Sequence, residues 1–502
     1  MSKPKTHISR RWVLAGLLSS GASVALAEPP LRSLRPAPRP GGKGGRMVPS
    51  AEYLVERANL GTASVGFVVA DAETGEVLET RKPLLPLPPA SVAKALTTLY
   101  ALDALGPEHR FATRLVATGP VEGGVLKGDL VLMGSGDPTL DTDRLAELAM
   151  KLKAAGVTSV EGAFLTWSRA LPTLTEIDPE QPVQVGYNPA VSGLNLNFNR
   201  VHFEWRRAGA GWNTAMDARS ATHRPDVRVA RMAIVKRRYP IYTYEDDGTA
   251  DLWTVASGAL GQNGSRWLPV RKPESYTAEV FQSFAKGQGI NLGAAKPVDE
   301  PPEGTELARV ESEDLRALLR DMLKYSTNVT AEAVGLAASV ARGPVPATLV
   351  ESGARMSDWL GGEIGSPRPA LVDHSGLGGA SRITTRDMVR ALVNLGPAVD
   401  LEPLLKEIRM KDAKGRPMES YPASIMAKTG TLNFVSTLAG YVTLPGGRKL
   451  AFASFMADPE RRDAIPVEQR ERPEGVASWT ARARTLQLRL IDRWVTTYDM
   501  TT

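Results

Sequence analysis

The sequence predicts an α/β (α+β) fold in which one domain, built from both ends of the chain, carries a strand-rich insertion. Three observations predict it. Near the start, "ASVGFVVADAETGEVLETRKP" sets two strand-forming runs on either side of Asp71 to Gly75, the pattern of a β-hairpin with a Gly-containing loop. Near the end, "ASIMAKTG", "STLAGYVTL" and "RKLAFASFMA" read as three strands, the last two joined by Leu444-Pro445-Gly446-Gly447. Between them, from about Phe111, the texture changes to short strands and Gly turns, as in "RLVATGPVEGGVLKGDLVLMGSGDPTL". A chain of 502 residues is longer than one hydrophobic core usually supports, so two or three domains are expected.

Taken in order, residues 1–27 hold a basic stretch, an apolar run from Trp12 to Leu18 and a small-residue site at Ala25-Leu26-Ala27. This reads as an export signal cleaved near Ala27, with periplasmic location expected and no stable membrane span. Ser9-Arg10-Arg11 resembles the twin-arginine type, although Val13 and Ala15 replace its usual Phe and Lys. Residues 28–46, rich in Pro, Gly and Arg, read as a tether, so the folded part is expected to start near Met47. The hairpin then leads through "PLLPLPP" to a helix from about Ser91 to Leu105, stopped by Gly106-Pro107. In the middle region Leu145, Leu148, Ala149 and Leu152 mark an amphipathic helix ending at Gly156, "PDVRVARMAIV" is strand-like, and "SYTAEVFQSFAKGQGI" is helical. Helical periodicity returns in "SEDLRALLRDMLKY" and "TAEAVGLAASVA", separated by a polar break at Ser326 to Asn328, and "SWTARARTLQLRLIDRW" closes the chain as a helix. The expected division is 47–112 with 305–502 as the outer domain and 113–304 as the insertion.

Composition removes several function classes. Of the net charge of +6, residues 1–27 carry four and residues 28–46 a further four, leaving about −2 for the rest, so nucleic-acid binding loses its support. With no cysteine there are no disulfides and no thiol nucleophile. After the signal only His109, His202, His223 and His374 remain, with no ligand-like spacing, so neither a metal nor a cofactor is expected.

The chemistry is carried by "LPPASVAKALTTLYAL". Ser91 and Lys94 stand three apart at a helix start, on one face, where the helix-start amides favour developing negative charge. Lys94 can act as base for Ser91 only when neutral, and the apolar neighbours Val92, Leu96, Leu99 and Leu102 make the necessary burial credible. The pattern alone is weak, since Ser2 to Lys5 and Ser283 to Lys286 repeat it, one in the signal and one well inside a helix.

Two further motifs give it weight. Ser326-Thr327-Asn328 is the only S-x-N and Lys428-Thr429-Gly430 the only K-T-G, in the order that resembles penicillin-binding proteins and class A β-lactamases. Each member has a physical task. Ser326 can relay a proton to the leaving amine; Asn328 can hold a substrate amide and orient Lys94. Lys428 can meet a substrate carboxylate and help depress the Lys94 pKa, and Gly430 can let substrate backbone approach the strand beside Thr429 and Thr431. The backbone N–H groups of Ser91 and Thr431 are the expected oxyanion donors.

The order hairpin, "PPASVAK", a 231-residue interval, "STN", "DHSGLGGASRITT" and "AKTGTL" resembles more narrowly the D-alanyl-D-alanine carboxypeptidase/endopeptidase family, the low-molecular-mass class C penicillin-binding proteins. Gly134-Ser135-Gly136-Asp137-Pro138-Thr139-Leu140, "VSGLNLNFNRV" and "KPESYTAEVF" share in the resemblance. It implies a serine transpeptidase/β-lactamase-like domain, an antiparallel sheet flanked by helices. It also implies removal of terminal D-Ala from peptidoglycan stem peptides, cleavage of D-Ala to diaminopimelate cross-links, or both, through a Ser91 acyl-enzyme that β-lactam antibiotics mimic.

Two rivals are a serine β-lactamase, for which no E-x-x-L-N stretch is present, and a non-catalytic wall-binding scaffold, against which the intact Ser91, Lys94, Ser326 and Lys428 argue. Asp373-His374-Ser375 is adjacent in sequence and cannot form a triad, so it reads as a loop near the site with His374 structural. Asp137-Pro138 reads as a turn. Asn328-Val329-Thr330 matches a glycosylation sequon only formally.

Overall fold

The computed structural model describes residues 48–412 and 415–499; the export-signal and tether readings of residues 1–46 lie outside them. The main sheet has six strands in the order Lys406–Glu407, Ser424–Leu432, Val435–Thr443, Lys449–Ala457, Ser64–Asp71 and Val77–Arg81, every neighbour antiparallel. Side chains in the Ser64–Asp71 strand alternate between two cores as the two-residue period requires. Val68 and Ala70 join Leu96, Leu99, Met322 and Met388 on one face. Val65, Phe67 and Val69 join Phe452, Leu486 and Trp494 on the other.

The first face is covered by the Thr385–Asn394 helix, and in the same core the Asn328–Ala341 helix packs against the Ala93–Leu105 helix. Ten residues of the Ala93–Leu105 helix are buried, because "AKALTTLYALDAL" is apolar or small almost all round and so suits the centre of a layer. A 3₁₀ turn, Ala90–Val92, precedes it, and Gly106 at φ 79° ends it, with Gly106 N–H donating to Leu102 O. The helix expected from about Ser91 therefore begins with a tighter turn that contains Ser91. The second face is covered by the Val476–Tyr498 helix, whose Trp479 and Trp494 are fully buried. Burying one side chain of this kind contributes roughly 1.5–3 kcal/mol.

A five-stranded mixed sheet runs in the order Lys296–Pro297, Phe164–Trp167, Leu130–Gly134, Ala112–Ala117 and Thr305–Glu311. The boundary read at residue 304 falls just ahead of the Thr305–Glu311 strand, which pairs with Ala112–Ala117 in this sheet. The Thr142–Ala154 and Pro273–Gly287 helices pack on each other beside it, and Leu132, Leu145, Leu148, Phe164 and Phe281 share one core. Asp137 is buried and forms a turn, accepting from Thr139 N–H and pairing with Arg144 at 3.1 Å. Among the described residues no helix is long and apolar enough to cross a membrane.

Candidate active site

Ser91, Lys94, Ser326, Asn328 and Lys428 come together from three separate stretches of the chain. The 3₁₀ turn positions Ser91, preceded by Ala90 in the left-handed region at φ 47° and fully buried. One turn later Lys94, also fully buried, points its ammonium at Ser91 Oγ, 3.0 Å away. The break between the Leu315–Tyr325 and Asn328–Ala341 helices puts Ser326 in the left-handed region at φ 60° and starts the second helix at Asn328. Non-glycine residues hold that backbone conformation only when their surroundings compel it, and such strain concentrates at functional sites.

Lys94 Nζ also donates to Asn328 Oδ1 and to the Ser375 carbonyl, each at 2.8 Å. When Lys94 is neutral, these two fixed acceptors take its two hydrogens. The lone pair is then left facing the Ser91 hydroxyl, the arrangement a general base needs. Asn328 cannot rotate freely, since its Nδ2 donates to the Tyr187 carbonyl at 2.9 Å. Lys428, 1% exposed, donates to Ser326 Oγ at 2.9 Å and to the Thr429 carbonyl at 2.8 Å. Two lysines and two hydroxyls thus form two adjacent pairs, Lys94 with Ser91 and Lys428 with Ser326.

Burial lowers the Lys94 pKa to about 8, against the upward pull of the buried carboxylates Glu332 and Asp373. Burial likewise raises Glu332, with Asp373 adding to the effect and the Lys94 charge opposing it. Lys428 lies well below its usual value, first through burial, then through repulsion by Lys94 and by Lys406. The sequence reading gave Lys428 part of the lowering at Lys94. In the structure burial dominates there, and the cation effect falls on Lys428.

Glu332 was not singled out in the sequence, and Asp373 was read there only as part of a loop near the site. Glu332 follows Asn328 by one helical turn, and its oxygens accept from His374 N–H and Ser375 N–H, both at 2.9 Å. Asp373 accepts from Gly376 N–H at 2.9 Å and Gly378 N–H at 2.6 Å. Together they hold the 373–378 loop so that the Ser375 carbonyl reaches Lys94. The available signal was one carboxylate at the fifth position of "NVTAEAVGLAASVA", otherwise apolar or small. His374 points away from this chemistry: its Nε2 lies 2.7 Å from Ser352 Oγ and its ring stacks on Tyr100.

Along the Ser424–Leu432 strand, Lys428 and Gly430 are buried while Thr429 and Thr431 are exposed, and Arg484 donates to Thr431 Oγ1 at 3.1 Å. A β-carbon on Gly430 would fall 2.1 Å from Thr437 Oγ1 and 2.9 Å from Ser91 N. The glycine therefore lets the strand close on the turn that carries Ser91, a different reason from the substrate approach expected in the sequence. A cavity of about 280 Å³ opens over Ser91, Ser326, Asn328 and Thr431, with Tyr187 and Arg470 among its walls.

Residues 50–482 match the D-Ala-D-Ala carboxypeptidase 3 (S13) family. The chain belongs to that family. It is accordingly a serine carboxypeptidase, a hydrolase. Similar sequences include a carboxypeptidase of Mycobacterium tuberculosis, 27% identical over 87% of this chain and 88% of the relative. A D-alanyl-D-alanine carboxypeptidase of an Actinomadura species is 26% identical over 86% of this chain and 83% of its own. Among solved structures, penicillin binding protein 4 (DacB) of Haemophilus influenzae superposes with a TM-score of 0.72 at 19% identity, covering 89% of this chain and 99% of its own. The fold is thus that of the serine transpeptidases and β-lactamases.

Proposed function

We propose that this S13 peptidase is a D-Ala-D-Ala carboxypeptidase/endopeptidase that acts on peptidoglycan stem peptides and cross-links through an acyl-enzyme on Ser91. The observation that carries the reading is the 3.0 Å contact between Ser91 Oγ and a fully buried Lys94 whose pKa is lowered to about 8. Ser91 attacks the carbonyl of the penultimate D-Ala as Lys94 takes the hydroxyl proton, and the N–H groups of Ser91 and Thr431 receive the oxyanion. Ser326 gives its hydroxyl proton to the leaving amine and takes one in return from Lys94, so that the proton lost by Ser91 ends on the amine. The C–N bond breaks, and water then hydrolyses the ester. Asn328 holds the substrate amide, while Lys428, Thr429, Gly430 and Thr431 receive the leaving residue's carboxylate and backbone. A β-lactam, whose ring carbonyl mimics the same peptide bond, acylates Ser91 covalently; a Haemophilus relative has a structure complexed with a β-lactam.

The test is labelling of the purified protein with a fluorescent penicillin, together with D-alanine release from a pentapeptide. Wild type is expected to label and to release D-alanine, and Ser91→Ala to do neither. Labelling that survives Ser91→Ala overturns the assignment. Because the wall substrate lies outside the cytoplasm, the export signal near Ala27 completes the proposal. Intramembrane or cytoplasmic retention of the full-length chain in a fractionation experiment would contradict it.

A further inference from the structure

We propose that the basic cavity beside Thr429–Thr431 binds the carboxylates of a second stem peptide, so that the enzyme favours cross-linked peptidoglycan and works mainly as an endopeptidase. This inference rests on the Ser91 reading given above and extends it to the leaving-group side.

The cavity, about 790 Å³, runs from Thr429, Gly430 and Thr431 to the 405–411 segment and the Val476–Tyr498 helix. Six cations line it, Arg320, Lys324, Lys406, Arg409, Lys411 and Arg484, against one carboxylate, Glu407. Arg320 faces Asp321 at 3.6 Å and Arg409 faces Glu407 at 3.7 Å. Lys324, Lys406 and Arg484 have no carboxylate within ion-pair distance among the described residues. Like charges gathered without counter-charges favour an anionic ligand.

Its place relative to the reaction gives the ligand. The small cavity over Ser91 and Asn328 and this larger one share Thr431 and diverge along the strand, one towards Asn433 and the other towards Thr429. Among the described residues the strand edge from Lys428 to Leu432 has no strand partner on the side where Lys406–Glu407 pairs only with Met426 and Ala427. The acyl portion that stays on Ser91 lies with Asn328, so the leaving residue lies towards Lys428 and Thr429. Lys406 is near enough to this position to depress Lys428. A released D-Ala ends at its own carboxylate and has no use for the space beyond. A leaving diamino acid continues into a whole second stem with several free carboxylates, matching the unpaired cations. The bond changes are those of acylation: Ser91 Oγ–C forms, the amide C–N breaks, and the side-chain amine departs with the proton taken from Ser91.

The experiment compares hydrolysis of a cross-linked muropeptide dimer with that of an uncross-linked pentapeptide by the full-length protein. Lys324→Gln combined with Lys406→Gln is expected to lower kcat/KM for the dimer about fivefold more than for the pentapeptide, since each exposed ion pair contributes modestly. Raising ionic strength should erode the same preference in wild type. A dimer whose second stem has its carboxylates amidated should lose the advantage. Equal losses on both substrates, or indifference to amidation, overturn the inference. Penicillin labelling of the same preparations separates the two readings. A labelled protein without dimer preference refutes the cavity's role alone, whereas an unlabelled wild type refutes the Ser91 reading and this one with it.

Discussion

Gly376 lies against the backbone of Ala90 so closely that a β-carbon on it would fall 1.9 Å from the Ala90 carbonyl oxygen. The loop that carries Ser375 and the turn that carries Ser91 are therefore in direct backbone contact, and Gly376 also sits at φ +72°, where a side chain is strained. Gly376→Ala is expected to cost about 3 kcal/mol or more, as backbone displacement and an unfavourable φ combine. Both thermal stability and the rate of penicillin labelling should fall. A variant with wild-type values of both would show that the contact is unimportant.

In the proposed mechanism Lys94 sets the pH dependence of acylation. Below about pH 8 it is mostly protonated and cannot take the Ser91 proton, so the acylation rate should rise roughly tenfold per pH unit towards 8 and then level. Lys94→Ala should lose acylation as fully as Ser91→Ala. Near-normal labelling of Lys94→Ala, or a rate flat from pH 6 to 8, would remove Lys94 as the base.

Glu332 supplies negative charge that raises the Lys94 pKa and accepts two N–H groups of the 373–378 loop. In Glu332→Gln the charge is gone, so the midpoint of the acylation profile should move below that of wild type. One loop N–H loses its acceptor, at a cost of about 1–3 kcal/mol. The measurement is penicillin acylation against pH alongside chemical unfolding. An unmoved midpoint would mean that Glu332 does not act on Lys94.

His374 is buried with its pKa pushed down to about 3 by desolvation. Its folded pKa lies below the unfolded value near 6.5, so the unfolded chain binds the extra proton first as pH falls. Stability from this group is full above about pH 6.5 and is lost on the way down towards pH 3, by up to about 1.4 kcal/mol per unit. The difference in unfolding free energy between wild type and His374→Gln should therefore vary with pH across that window. A difference independent of pH would show that His374 titrates normally.

What the sequence determined by itself was the set of groups and their local settings. Ser91 and Lys94 are three apart at a helix start, Ser326 and Asn328 lie at a helix break, and Lys428 is on a strand; each setting is local and leaves a readable pattern. The hairpin, the three late strands and the closing helix were legible for the same reason, since apolar period and turn residues act over a few positions. Only the tertiary structure decided what surrounds Lys94. Asn328 reaches it across 234 residues and the Ser375 carbonyl across 281, while the Tyr187 carbonyl fixes Asn328 from 141 residues away. A backbone carbonyl has no residue identity to recognise, and a carboxylate such as Glu332 gives no sign in sequence of the charge it will face. The pairing of Thr305–Glu311 with Ala112–Ala117, and the gathering of Lys324, Lys406 and Arg484 around one cavity, are likewise products of long-range packing. Depressing the pKa of a lysine takes burial from every side, and that is set by the folded chain as a whole.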